Sequence, residues 1–229
     1  MANLYDIRTK VANKLSDGLL VRPTSEQIDA AINSSIAYYE NNYFWFQEGS
    51  YSYTLADEQA ELSPLPEDFK FQRSPNDIIL QATDSKVKEK LVFLHPVEFD
   101  KLSIRWSSRY MAYTFRDGKI EIYPTKGHEG DVLTLYYWKS YTDLVNDEDE
   151  NDFTIHASRL IETKTMLDCL IDYKQEDARI SVYYSKEKDE LRTIKRETYN
   201  RTSTGRLITE NIILDNSNNI NRNYTSWYR

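Results

Sequence analysis

The feature that most constrains this chain is the stretch from Phe153 to about Asn200. It contains neither glycine nor proline, the residues that most readily end helices. Asp152 is placed to cap its start. Leu160, Ile161, Leu167, Leu170 and Ile171 recur on one face at helical spacing. After the polar break Lys174-Gln175-Glu176-Asp177, a second stripe follows in Ile180, Tyr184, Leu191 and Ile194. A short polar joint between two periodic segments predicts an antiparallel helical hairpin. Each large side chain fully buried contributes about 1.5–3 kcal/mol, so this pair can seed a core. The polar side, with Lys186, Glu187, Lys188, Asp189 and Glu190, is expected to face water. The stretch is scaffolding, and the rest of the chain must pack onto it.

Upstream, Leu4, Ile7, Val11 and Leu15 repeat with helical period and Asp17-Gly18 ends that first helix. Thr24-Ser25-Glu26-Gln27 has the spacing of a capping box. Ile28, Ala31, Ile32, Ser35, Ile36, Tyr39 and Tyr43 then trace one face of a second helix, which closes in the aromatic knot Phe44-Trp45-Phe46. Core packing is the first reading of that knot, and a partner-binding patch the second. From Gly49 the period changes to that of strands: Tyr51, Tyr53 and Leu55 alternate with Ser52 and Thr54. Leu62 to Phe69 carries two prolines and reads as a stiff extended link. Ile78 to Leu80 and Leu91 to Leu94 predict strands, separated by a charged turn over Asp84 to Lys90. His95-Pro96 opens a short helix through Leu102. Asp117-Gly118 between alternating segments marks a two-residue hairpin over Tyr113 to Tyr123. Gly127 to Gly130 makes another turn, and Val132 to Trp138 is the strongest strand of all.

The expected fold class is therefore α+β. A helical bundle (1–48 and 152–200) would carry an inserted, mainly antiparallel β lobe (49–151), followed by an extended C-terminal arm (201–229). The arm lacks a convincing period and is rich in asparagine. Fully extended, it could reach about 100 Å, against a body of about 40 Å. It carries Arg201, Arg206, Arg222 and Arg229 against only Glu210 and Asp215, in a chain whose net charge is −8. A basic arm on an acidic body can dock on a neighbouring copy. Arg206, Ile212, Ile213, Leu214, Arg222, Trp227, Tyr228 and Arg229 are its candidate partner-binding residues.

Chemistry is hard to find. The acidic balance argues against a general nucleic-acid binder, and 6 glycines in 229 residues leave little material for a phosphate loop. His128-Glu129 begins like a zinc-protease motif, but Val132 stands where the second ligand belongs. His156 and Cys169 share a helix about 20 Å apart, too far for a dyad. The acidic run Asn146 to Asp152 lacks the glycine and bidentate glutamate of a calcium loop, and reads as a solvated linker ending in a helix cap. No cofactor, metal or catalytic residue is predicted. Cys169 stands alone and fits a reducing compartment. No apolar run approaches the roughly 20 residues of a membrane span, so a soluble protein made in a cytoplasm is expected. The 18 tyrosines suit either strands or surfaces that become interfaces.

The order of features resembles the head-to-tail adaptor (connector, head-completion) proteins of tailed bacteriophages. The matching residues are Ile28 to Ile36 as I-x-x-A-I-N-x-S-I, Leu65-Pro66-Glu67-Asp68-Phe69, and Gly118 to Pro124. Leu135-Tyr136-Tyr137-Trp138 and the closing helices through Ala178, Tyr183 and Leu191 complete the set. The resemblance implies a structural virion protein without enzymatic activity, forming a homo-oligomeric, dodecameric ring in the neck. Such a ring attaches to the portal protein, offers a platform to tail proteins, and continues a channel through which DNA passes without sequence-specific binding. In such a ring Asp147, Glu148, Asp149 and Glu150 are expected to face the channel, where like charge lets DNA slide. Another neck ring or stopper, or a tail-borne cell-wall hydrolase, is the competing expectation.

Overall fold

A computed structural model describes residues 2–15, 23–73, 78–83, 88–102, 111–124, 127–172 and 177–202. Helix α1 (Leu4–Leu15) buries Leu4, Ile7, Val11 and Leu15, the four residues its period singles out. Helix α2 (Ser25–Glu40) starts in the expected capping box: the Gln27 amide donates to Thr24 Oγ1 and the Thr24 amide to Gln27 Oε1. It stops at Glu40, earlier than the aromatic stripe suggests. Tyr43 has φ +56°, which turns the chain and sends its ring against Trp138 and Phe71 of the sheet region. A single 3-10 turn, Trp45–Gln47, follows.

Among the described residues nine strands come next: β1 (Glu48–Thr54), β2 (Glu61–Leu62), β3 (Phe69–Gln72), β4 (Ile78–Gln81), β5 (Lys88–Lys90), β6 (Val92–Phe93), β7 (Ala112–Arg116), β8 (Lys119–Tyr123) and β9 (Val132–Lys139). They form two sheets among the described residues, where the sequence suggested one. The first has the order β1-β9-β4-β5, with β3 also on β9; the second runs β2-β8-β7-β6. Strand β9 organises the first sheet. It pairs with β1 from Val132 to Trp138, and with the shorter β4 and β3 in turn.

Two expectations need correction here. Lys88–Lys90 is not turn but strand β5, paired with β4; every one of its side chains is exposed, so no apolar period betrays it. Leu91 to Leu94 is not one strand. The Leu91 amide donates to Ile78 of the first sheet, whereas the Val92 and Leu94 amides donate to Met111 and Tyr113 of the second, so the chain changes sheets at Leu91. The pairing of β6 with β7 is parallel. The Asp117-Gly118 hairpin forms as expected, with φ +50° and +74° at its two central residues.

Helices α3 (Pro96–Phe99), α4 (Asp152–His156), α5 (Ser158–Asp172) and α6 (Asp177–Thr202) are the remaining elements among the described residues. The cap of α4 is Asn151 rather than Asp152: Asn151 Oδ1 accepts from the amides of Phe153 and Thr154. Asp152 is thereby free to accept from Lys139 Nζ (2.8 Å) and the Tyr141 hydroxyl (2.9 Å), tying the end of β9 to the helices. Two expected core residues face out. Ile171 is 52% exposed and Tyr184 51% exposed. Along α6 the inward stripe is Ile180, Tyr183, Glu187, Leu191 and Ile194, and the Tyr184 ring falls to one side of it.

Burial divides between two clusters. One joins α1, α2, α4, α5 and α6 with Phe44, Phe46 and Leu144. The other lies between the sheets, with Leu62, Ile78, Leu91, Ile120, Leu133 and Leu135 at its centre. Gly49 sits opposite Tyr137 in the β1–β9 register, and a Cβ there would lie 2.5 Å from that ring. The glycine lets the ring lie flat across the strand and reach Asp68 with its hydroxyl (2.7 Å).

Four tyrosines are unusually reluctant to ionise. Burial pushes Tyr53 up to about 12. Burial first, and then a neighbouring carboxylate, push Tyr39 (Glu187), Tyr137 (Asp68) and Tyr141 (Asp152) further in the same direction. A raised folded pKa stabilises the neutral phenol, so this contribution is complete below about pH 10, the unfolded value, and is lost as pH rises beyond it. The expected result is a melting temperature that falls steeply above about pH 10. Exposed tyrosines ionise first, and the final phenolate absorbance should appear together with loss of helical ellipticity. Ionisation of every tyrosine in a chain that stays fully folded up to about pH 12 would contradict the burial described here.

Candidate interaction surfaces

His128, His156 and Cys169, the residues weighed for chemistry, have structural contacts. His128 Nδ1 lies 2.9 Å from Asp131 Oδ2, and Asp131 also accepts from the Thr83 amide (2.9 Å). Burial pushes the Asp131 carboxyl up, but the hydrogen bonds from His128 and Thr83 outweigh it and hold it below its ordinary value. The cluster fastens the turn before β9 to the end of β4. His156 stacks on Phe46 and lies 4.8 Å from the Trp45 ring. Cys169 is buried, and burial together with Asp168 and Asp172 pushes its thiol up to about 11, away from the reactive thiolate. Among the described residues no three His, Cys, Asp or Glu side chains are placed to share a metal ion. No described helix is long and apolar enough to cross a membrane. An open trough of about 530 Å³ runs between α2 and α5, past Ala30, Ala31, Ser34, Ile171 and the ion pair Lys164–Asp168 (2.6 Å).

The acidic run is a built loop rather than a free linker. The amides of Leu4 and Tyr5 donate to the carbonyls of Asp149 and Asp147, which satisfies the otherwise unpaired start of α1. Asp147 accepts from Arg8 (2.7 Å), itself held by Asp29. The Asp149 carboxylate accepts from the amides of Val145 and Asn146 (both 2.8 Å) and is held below its ordinary value by them. Glu148 and Glu150 remain exposed, as does Asp143. Between them stands Val145, 76% exposed, the most open of the large apolar side chains among the described residues.

A second charged surface is absent from the sequence reading. On α6, Tyr184, Lys188, Arg192, Lys195, Arg196 and Tyr199 share one flank over about 22 Å of helix. The four cations are exposed, and the Lys188 ammonium lies 4.4 Å from the Tyr184 ring centre. Glu190 and Glu197 fall on the other flank together with Lys186, while Asp189 borders the basic flank beside Arg196. Projecting the 181–199 charges onto a helix, instead of counting them along the chain, reveals the segregation.

The predicted partner-binding residues Arg206, Ile212, Ile213, Leu214, Arg222, Trp227, Tyr228 and Arg229 lie outside the described residues. The point from which they depart is described. The Arg201 guanidinium stacks 3.8 Å over the Trp45 ring, and the Trp45 amide donates to Thr198 Oγ1 (3.3 Å), so the last turn of α6 is pinned to the aromatic knot. The knot is core, as first read: Phe44 and Phe46 are buried, and Trp45 receives the C-terminal helix of its own chain.

A family model described as SU10 adaptor protein matches residues 2–208. No curated protein matches the chain.

Proposed function

The chain belongs to the SU10 adaptor protein family, structural adaptors of phage particles, and from that premise we propose that it forms a ring in the virion neck. The ring attaches to the portal on one side and to tail proteins on the other, and its bore continues the path of the DNA. Twelve copies are the number the family resemblance suggests. The observation that carries this reading is a family match that spans both buried clusters and reaches the pinned end of α6. The arm expected over 201–229, whose first two residues instead close α6, reaches a neighbour or the portal from a root beside Trp45.

The two buried clusters support a two-lobed subunit in which the helices and the sheets act as separate bodies. The inserted lobe is taken as 49–151, and the packing of Tyr141 and Leu144 with the helical cluster favours a seam nearer residue 140. A place for the acidic run on the bore would fall to Glu148 and Glu150, since Asp147 and Asp149 hold α1 and their own loop. The exposed Val145 beside them favours contact with protein instead.

The test is a phage genome lacking codons 203–229, with particles imaged and their proteins weighed. The expected outcome is filled heads without tails and without this chain. Normal yields of tailed particles would rule out the arm. Turnover of peptidoglycan by the purified chain in a zymogram, with the chain missing from particles, would overturn the adaptor reading itself.

A further inference from the structure

We infer that the basic flank of α6 seats on the acidic loop around Val145 of a neighbouring copy, so that these two surfaces form a repeated subunit contact. This rests on the ring proposed above. Each surface is incomplete alone. Lys188, Arg192, Lys195 and Arg196 make no ion pair with a described residue, and neither do Asp143, Glu148 and Glu150. The loop rests on α1 and on Asn33 of α2, whereas α6 packs chiefly on α5, so the two patches are carried by different parts of the subunit.

A closed ring needs two different, complementary patches per subunit, used once each. Opposite charge supplies the pairing and fixes its register. Val145 and Tyr184, both exposed, give the contact an apolar centre that water does not compete for. The loop is also rigid enough to act as a template, because Asp147 and Asp149 spend their carboxylates on holding it. DNA is the less favoured occupant of the flank. A chain of net charge −8 repels a polyanion at long range.

Purified particles carrying the full chain with Val145→Cys and Tyr184→Cys, in a Cys169→Ala background, decide the matter. A short bis-maleimide should give a ladder of chain multiples that requires both introduced cysteines. A chain present in normal amount with no ladder overturns this contact and leaves the ring reading intact. A chain missing from particles made with the unaltered gene overturns the ring reading, and this contact with it.

Charge reversal is the second arm. Lys188→Glu, Arg192→Glu and Lys195→Glu together should lower the yield of tailed particles about tenfold or more, because like charges would then face each other. Adding Asp143→Lys, Glu148→Lys and Glu150→Lys should restore the yield to within about threefold. Failure of that rescue, with duplex-DNA binding by the purified chain lost on reversal, would assign the flank to DNA and overturn the inference.

Discussion

Replacing Phe153 by alanine is expected to cost about 3–5 kcal/mol of stability, the upper range for truncating a buried aromatic residue. The side chain is 0% exposed. It meets Phe46 at 5.2 Å, Phe44 at 6.2 Å and Tyr141 at 5.2 Å between ring centres, all at steep angles. These rings come from three places: the segment after α2, the loop after β9, and α4 itself. Removing the one they share leaves a cavity that none of them can fill, because each is tied elsewhere. Tyr141 is held by Asp152, and Phe46 by His156 and Trp45. For a chain of this size the loss corresponds to a fall in melting temperature of about 10 °C or somewhat more. Urea unfolding followed by tryptophan fluorescence is the measurement. A loss under about 1 kcal/mol would show that the ring cluster is not the joint described here.

The second large effect comes from a hydroxyl. Tyr39 is fully buried at the end of α2, and its hydroxyl donates to the carboxylate of Glu187 on α6, which is itself only 8% exposed. Tyr39→Phe keeps the ring and its edge contact with Tyr38 but leaves a buried acid without its donor. The expected destabilisation is about 3 kcal/mol, far more than the bond's net worth, because the desolvated partner remains. Glu187→Met added to Tyr39→Phe should recover most of it, since two apolar groups can replace a satisfied pair at little cost. Equal urea midpoints for the single and double variants would contradict this account.

What could be read from the sequence divides along local and non-local lines. The period of α1, the Thr24–Gln27 box and the Asp117-Gly118 turn are set by residues within a few positions of each other, and all three form as read. Ile171 and Tyr184 also continue a local period, yet they face solvent. The period gives a direction around a helix, and only the neighbouring helix decides how wide the covered face is. Strand β5 was illegible because Lys88-Glu89-Lys90 is held by backbone bonds to β4 at an exposed edge, where side chains carry no information. The split into two sheets hinges on which strands receive the amides of Leu91, Val92 and Leu94, a matter of distant partners. At the candidate interface the acids were legible as a run. Their division into carboxylates that hold α1 and carboxylates left open was not, because it depends on Arg8 and on amides at the start of α1. The candidate arm residues lie outside the described structure.

The stacking of Arg201 on Trp45 has a mechanical corollary. Any pull exerted on the polypeptide past Thr202, such as the tug of a particle flexing at its narrowest point, enters the subunit through a ring rooted among Phe46 and His156. That ring packs against the helical cluster, so such a pull would be met inside the subunit instead of at its rim. Tension would be shared between helices and sheet before it could peel either one away.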